Sequence, residues 1–179
     1  GPWVAKLFDE ALIEKSPQNI RLVKGSHIVV PRIHDEKQAY ILQNKDQRIV
    51  FVIPFEDDYS LVGTTDVEHK GAAQDVKISD EEIDYLIDIT NSYFKNHIKR
   101  EDIVHTFSGV RPLLDDESVN AQKVTRDYKL ELSSEGKHTP LLSVFGGKIT
   151  TYRKLAEAAV NKLEEFYPQM SEAWTKHSA

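Results

Sequence analysis

Basic side chains beside glycines are the groups in this sequence that could bind an anion. Lys148 directly follows Gly146 and Gly147, which separate a short apolar run from an amphipathic helical pattern. Paired glycines let a ligand approach the backbone, and the start of a helix favours negative charge. By itself, a Gly-Gly-Lys sequence is more often a tight turn with a solvated lysine. Whether this Gly-Gly-Lys sequence binds an anion therefore depends on the other residues that could share a site with it.

Arg111 lies in the sequence FSGVRPL, in which Pro112 favours an extended backbone and Gly109 removes side-chain bulk on the same face. This arrangement could present a guanidinium to a pocket. An ion pair with the acidic loop that begins at Asp115 explains Arg111 equally well.

Arg126 falls on the core-facing side of a predicted strand, in phase with Tyr128, Leu130 and Leu132. A buried arginine is costly unless an anion pairs with it. Taken alone, the better explanation is that residue 126 lies at the end of the strand, where its side chain reaches water.

His27 lies in the apolar strand pattern KGSHIVV. An imidazole in such a strand is more often a core group than a catalyst, but with an ordinary pKa near 6.5 it could take a proton from a substrate hydroxyl. The segment from Gly63 to Asp66 ends another strand with small and hydroxyl groups, which suit a turn and a ligand lining equally. The other histidines have no metal-ligand spacing, so we expect no metal site.

Composition narrows the class of protein. The chain has 179 residues, 40% of them apolar, which is enough for one sizeable core. A net charge of −6 gives no reason to expect a nucleic-acid partner. The lack of cysteine excludes disulfides and thiolate chemistry and suits a reducing cytoplasm. Because the chain starts without methionine and ends in a polar stretch, we expect it to be a piece of a longer protein.

The patterning predicts an α+β fold with about six strands, mostly antiparallel, and helices packed on them. We predict a helix over 3–12 and a second, opened by a capping box at Ser79, to about His97. The buried side of that second helix is predicted to carry Ile83, Leu86, Ile87, Tyr93 and Phe94. Strands are predicted at 21–32, 39–43, 48–54, 59–65, 103–113, 125–132 and 141–145. The last helix is predicted to bury a stripe formed by Tyr152, Leu155, Ala156, Ala159, Val160 and Leu163.

Six blocks in order along nearly the whole chain resemble one family. They are KGSHIVVPR, QAYILQN with RIVFVIPFE, VGTTD, SGVRPL, TRDYKL and SVFGGKITTYRKLAE. Together they resemble the FAD-dependent glycerol-3-phosphate dehydrogenases of the respiratory-chain type. The resemblance implies a two-domain flavoprotein: 1–19 as the end of a flavin-domain segment, 20–139 as the substrate domain, 140–167 as the strand and helix that complete the flavin domain, and 168–179 as a tail.

That family oxidises sn-glycerol 3-phosphate to dihydroxyacetone phosphate, passing a hydride from C2 to flavin N5 and electrons to quinone. By resemblance, Arg111 and Arg126 hold the substrate phosphate, Lys148 lies beside the flavin and the substrate's C2 oxygen, and His27 is a substrate-site residue and candidate base. Gly146, Gly147, Lys148, Ile149 and Thr150 match the segment that contacts FAD. The resemblance also implies a cytoplasmic location, peripheral on the inner face of the cell membrane, and leaves a homodimer open.

The sequence departs from the family pattern in lacking the Gly-x-Gly-x-x-Gly segment that cradles the FAD pyrophosphate and the helical C-terminal domain. We therefore expect this chain alone to bind FAD weakly or not at all and to have no dehydrogenase activity. Two other interpretations stay open. One is a related amino-acid oxidase that binds a carboxylate, and the other is a non-catalytic anion-binding or interaction module.

Overall fold

The structure is a computed structural model that describes residues 1–115, 125–134 and 139–178. Within these ranges the chain forms two compact units, which are described separately. The first, called the sheet unit here, comprises residues 22–111. The second, called the turn unit, comprises the described residues of 1–21 and of the chain after 111. The predicted acidic loop that follows Asp115 lies outside the described residues.

Six strands form the main sheet, in agreement with the predicted, mostly antiparallel sheet of about six strands, and five of the six fall at predicted positions. They are β1 (Ile20–Pro31), β2 (Tyr40–Gln43), β3 (Ile49–Phe55), β4 (Tyr59–Gly63), β5 (Val67–Glu68) and β6 (His105–Leu114). The order is β2-β3-β4-β1-β5, and β6 also pairs with β1. The short strand β5 was not predicted, because two residues carry too little pattern to be recognised.

Strand alternation gives the sheet two different faces. Ile28 pairs with Val62 and points with it toward helix α1 (Asp80–Tyr93), whereas the neighbouring pair, His27 and Gly63, points to the opposite face. The side under the helix holds the core of this unit: Ile28, Val30, Ile33, Leu42, Val50, Val52, Val62, Leu86 and Ile98. We call the opposite side the open face.

The start of α1 confirms the predicted capping box. The Ser79 hydroxyl accepts a hydrogen bond from the Glu82 backbone N–H, and the Glu82 carboxylate accepts one from the Ser79 N–H at 2.8 Å. Two N–H groups that the helix leaves unpaired are thereby satisfied. Ile83 and Ile78 lie partly buried against the core, as a hydrophobic staple requires.

The end of α1 differs from the prediction. The helix stops at Tyr93 rather than near His97, because the Asn91 side chain accepts from the Ile98 N–H at 2.8 Å and donates to the Ile98 carbonyl at 2.9 Å. These bonds hold the chain in a turn that a local pattern does not reveal. Tyr93 is 53% exposed, so its predicted burial was wrong, and its hydroxyl donates to the Gln43 carbonyl.

The turn unit begins with α-helix Val4–Leu7, which continues as a π-helix over Phe8–Leu12. Strands β7 (Tyr128–Ser133) and β8 (Leu141–Gly146) form an antiparallel pair, and helix α2 (Tyr152–Lys162) follows after a 3-10 turn, Ile149–Thr151. Phe8 and Phe145 are buried and stack with their ring centroids 6.0 Å apart, which ties the first helix to β8.

The apolar stripe predicted for α2 is not buried within the described residues. Tyr152 is 71% exposed and Val160 is half exposed, and no residue described in α2 falls in the buried class. The helix contacts β7 and the short C-terminal turns, which leave these side chains uncovered. None of the helices described has the length and apolar character to cross a bilayer.

Candidate functional site

The open face of the sheet unit brings His27 and Arg111 together. Ser26, next to His27 on β1, is fully buried and its hydroxyl contacts Glu82 of α1, so His27 projects to the other side of the sheet. The His27 ring stacks on Phe107 of β6 with centroids 5.2 Å apart. The alternative explanation of His27 as a core group does not hold, because the ring is half-buried on a polar and aromatic surface.

A glycine opposite His27 makes room for its ring. Gly63 pairs with His27 across β4 and β1, and a Cβ built on Gly63 would lie 2.3 Å from His27 Cδ2. No side chain can occupy that position while the imidazole keeps its place. Gly63, the second residue of the VGTTD block, is therefore a glycine for a steric reason.

Arg111 lies across β1 with its guanidinium against Gly25. Its Nη1 donates to Asp66 Oδ1 at 2.9 Å, and its Nη2 donates to Thr64 Oγ1 at 3.1 Å. A Cβ on Gly25 would come within 2.6 Å of Arg111 Nη2, whereas a Cβ on Gly109 would have no neighbour within 4 Å. The predicted role of Gly109 in making room for Arg111 was wrong, because Gly25 on the adjacent strand does so.

The proton affinity of His27 suits a base. Burial lowers its pKa from the ordinary 6.5, and the Arg111 cation lowers it further. The imidazole is therefore mainly neutral at pH 7 and able to accept a proton.

The pairing of Arg111 with Asp66 was not predicted from the sequence, since the two residues lie 45 positions apart.

A buried polar cluster supports this face from below. Glu82, 5% exposed, accepts hydrogen bonds from the Thr65 hydroxyl at 2.6 Å and the Ser26 hydroxyl at 3.0 Å, and pairs with Lys24 at 2.6 Å. Burial raises the pKa of Glu82, but the hydrogen bonds from Lys24, Thr65, the Ser79 backbone and Ser26 outweigh it and leave the pKa lowered. A buried carboxylate is thus kept ionised by its partners.

The turn unit holds the Gly-Gly-Lys segment. Gly146 and Gly147 have φ angles of 70° and 88°, which favour glycine, and a Cβ on Gly146 would lie 2.7 Å from the Asp127 carbonyl oxygen. The Gly147 N–H donates to that same carbonyl at 3.0 Å. The two glycines therefore allow a sharp turn directly against the chain at Asp127.

The residues after the glycines are presented to solvent. Lys148, Ile149 and Thr150 are exposed, and the Lys148 carbonyl accepts hydrogen bonds from the backbone N–H and the hydroxyl of Thr151. No side chain among the described residues caps the start of α2. This end of the helix can therefore accept an electron-rich group from outside.

Arg126 lies outside the strand with its side chain exposed, which agrees with the interpretation favoured from the sequence, whereas the predicted start of the strand at residue 125 was wrong. β7 begins only at Tyr128, and Arg126 is exposed two residues before it. Because the adjacent Asp127 carbonyl is bonded to Gly147, Arg126 and Lys148 lie on neighbouring stretches of backbone in the turn unit. His27 and Arg111 belong to the sheet unit.

Comparison with known proteins identifies the class. A family model described as FAD dependent oxidoreductase matches residues 1–153, and the chain belongs to that family. The solved structure of the glycerol-3-phosphate dehydrogenase from Bacillus halodurans complexed with FAD is similar, with a TM-score of 0.76, 28% identity, and coverage of 97% of this chain and 32% of that one.

Curated relatives are more specific. The aerobic glycerol-3-phosphate dehydrogenase of Escherichia coli (strain K12) is 59% identical over 178 residues, covering 99% of this chain and 36% of that protein. The D-erythritol 1-phosphate dehydrogenase of Brucella abortus (strain 2308) is 50% identical over 175 residues, covering 98% of this chain and 35% of that protein. The chain spans about a third of the length of these relatives.

Proposed function

We propose that this chain is the substrate-binding part of an FAD-dependent dehydrogenase that oxidises sn-glycerol 3-phosphate to dihydroxyacetone phosphate. The 59% identity with the Escherichia coli glycerol-3-phosphate dehydrogenase across 99% of the chain carries this proposal. The open face supports it, since it presents a cation beside a neutral imidazole, a pair suited to a phosphorylated alcohol.

Arg111 binds the substrate phosphate in this proposal. A guanidinium matches phosphate geometry and forms charge-assisted hydrogen bonds to it, and Arg111 is held in place by Asp66 and Thr64 before substrate arrives. Arg126 is assigned the same kind of role by its match to the TRDYKL block, and its exposure leaves it accessible.

His27 is the proposed base for the substrate hydroxyl. Its lowered pKa keeps the ring unprotonated at neutral pH, and Phe107 and Gly63 fix where the ring lies. Replacing His27 with Asn should therefore reduce turnover much more than substrate binding. Lys148 is proposed to lie beside the substrate's C2 oxygen.

The residues present fit a flavin. Gly146 and Gly147 allow the sharp turn that precedes the exposed residues 148–150, Lys148 supplies a positive charge, and the uncapped start of α2 favours negative charge. Gly146 through Thr150 would contact the cofactor. FAD, when bound, supplies the acceptor for the electrons that leave C2 of the substrate.

A second candidate substrate differs in the length of its carbon chain. The Brucella abortus relative named for D-erythritol 1-phosphate is nearly as similar as the glycerol-3-phosphate dehydrogenases, so a four-carbon polyol phosphate is the second candidate.

A substrate panel separates the candidates. We would assay the full-length protein with an artificial electron acceptor and sn-glycerol 3-phosphate, D-erythritol 1-phosphate, glycerol or D-amino acids. The proposal requires the highest kcat/KM for sn-glycerol 3-phosphate and very little turnover of glycerol. Preference for the erythritol compound would favour the second candidate. Oxidation of amino acids would support the amino-acid-oxidase interpretation, and no oxidation of any compound would support an interaction module.

Further parts of the proposal concern the full-length protein. Electrons pass to quinone and the protein lies at the inner face of the cell membrane, with a homodimer left open. The chain alone binds FAD weakly or not at all and is inactive. Retention of flavin by the purified 179-residue chain, measured by its visible absorbance, would overturn the last statement.

A further inference from the structure

We propose that Asp66 is a positioning residue that orients Arg111 for the substrate's anionic group. The inference rests on the proposed function, in which Arg111 binds a phosphate. Asp66 lies between β4 and β5, and its side chain is 17% exposed in its ion pair with Arg111. A carboxylate repels a phosphate, so the presence of Asp66 beside Arg111 requires an explanation.

Three polar contacts of Arg111 come from one tripeptide, Thr64 to Asp66. Nη1 donates to Asp66 Oδ1 at 2.9 Å and lies 3.5 Å from the Thr65 carbonyl oxygen, while Nη2 donates to Thr64 Oγ1 at 3.1 Å. The guanidinium and Thr64 Oγ1 both lie against Gly25, where no Cβ could fit. The guanidinium is therefore held by the tripeptide next to the backbone of β1.

The tripeptide is itself anchored to the buried cluster. Thr65 is buried, its hydroxyl donates to Glu82 at 2.6 Å, and it accepts from the Ser26 N–H at 3.0 Å. Glu82 is fixed in turn by Lys24 at 2.6 Å. Asp66 therefore follows directly on a residue that is hydrogen-bonded to helix α1, and a group that orients another side chain needs such a rigid support.

Orientation and charge act in opposite directions at Asp66. Its negative charge offsets part of the attraction of Arg111 for an anion, whereas its hydrogen bond fixes the guanidinium in one direction. If orientation dominates, loss of the carboxylate must weaken phosphate binding and turnover. If charge dominates, the same loss must strengthen phosphate binding.

A double-mutant cycle tests the inference in the full-length protein. We would measure kcat/KM for sn-glycerol 3-phosphate and the Kd for inorganic phosphate in wild type, Asp66→Asn, Arg111→Ala and the double variant. We expect Asp66→Asn to lower kcat/KM about tenfold and to weaken phosphate binding by a similar factor. In the Arg111→Ala background the same change should have almost no effect, because its partner is gone.

Asp46→Asn is the matched control. Asp46 also pairs with an arginine, Arg48, at 2.6 Å in the same unit, but on the exposed β2–β3 hairpin. Asp46→Asn should leave kcat/KM for sn-glycerol 3-phosphate and the Kd for inorganic phosphate unchanged. Flavin content and thermal midpoint are recorded for every variant. Should Asp66→Asn fail to fold, Thr64→Val removes the second acceptor of Arg111 and must show the same dependence on Arg111.

The outcomes distinguish this inference from the proposed function. Losses from Asp66→Asn that add to those of Arg111→Ala, or tighter phosphate binding by Asp66→Asn, would overturn the inference and leave the function standing. Wild-type values for Arg111→Ala would overturn the inference and the phosphate-binding role of Arg111, while the oxidation of sn-glycerol 3-phosphate would stand. A non-additive cycle in phosphate binding without oxidation of sn-glycerol 3-phosphate would support the inference and overturn the function.

Discussion

At His27, burial and a neighbouring cation act in the same direction. Both lower the pKa of the imidazole, so the folded protein binds fewer protons here than the unfolded chain between the lowered pKa and about 6.5. Stability from this group is present above pH 6.5 and lost as pH falls through the lowered pKa. The ring is only half-buried, so solvent screens the effect and the loss should stay below about 1 kcal/mol.

Removing the cation should raise the pKa of His27. In Arg111→Gln the repulsion between the Arg111 cation and the imidazolium is lost, while burial continues to lower the pKa. A histidine-selective NMR titration of the chain measures this directly. Arg48→Gln is the control, since Arg48 lies on the hairpin against Tyr85, 3.7 Å from its ring centroid. An unchanged His27 pKa in Arg111→Gln would contradict the arrangement of the open face.

Two glycines on neighbouring strands should respond differently to an added methyl group. Gly25→Ala places a Cβ 2.6 Å from Arg111 Nη2 and must displace the guanidinium, whereas Gly109→Ala meets nothing within 4 Å. We expect Gly25→Ala to lower kcat/KM of the full-length enzyme at least about tenfold and Gly109→Ala to change it less than about twofold. Equal effects of the two changes in steady-state kinetics would refute this account of Arg111.

At the scale of the elements, the start of α1 couples stability to the site. Ser79 caps the helix, and its backbone N–H also fixes the Glu82 carboxylate that holds Thr65. Ser79→Ala should lower the free energy of unfolding by about 1 kcal/mol, the usual cost of a lost N-cap. Urea denaturation of the chain measures the change.

The same helix supplies the control for the cap. Ser92 is exposed near the C-terminal end of α1, where its hydroxyl donates to the Ile89 carbonyl at 2.7 Å. Ser92→Ala should alter the free energy of unfolding by less than about 0.5 kcal/mol. If Ser79 did not stabilise the helix, Ser79→Ala and Ser92→Ala would have the same denaturation midpoint, which would contradict this prediction.

Local patterns predicted the elements better than their ends and contacts. The capping box at Ser79 and the β2–β3 hairpin are encoded within a few residues, so they were predicted correctly. The end of α1 was missed because the bonds between Asn91 and Ile98 stop it. The residue types of Asn91 and Ile98 do not by themselves indicate that the two residues are hydrogen-bonded.

The candidate site was predicted in part for the same reason. His27 and Arg111 stood out because each breaks an apolar strand pattern. Asp66 was noted only as the end of a segment suited equally to a turn or a ligand lining, and Gly25 was not noted, since their roles exist only once β1, β4 and β6 lie side by side. The sequence also placed Arg126 inside a strand that begins two residues later, because alternation continues beyond the last paired residue.

At the scale of the whole molecule, the chain contributes two separate sets of groups. The sheet unit provides His27 and Arg111 on its open face, and the turn unit provides the segment from Gly146 to Thr150. The relatives that match nearly the whole chain are about three times as long. The proposed chemistry therefore belongs to the full-length protein and has to be measured there.

The most direct measurement follows the flavin absorbance of the full-length protein without oxygen as sn-glycerol 3-phosphate is added. We predict rapid loss of the oxidised flavin band in wild type, slowed by about 100-fold or more in Arg111→Ala and in Arg126→Ala. Asp46→Asn should bleach at the wild-type rate. A bound flavin that stays oxidised in the presence of sn-glycerol 3-phosphate would contradict the proposed substrate.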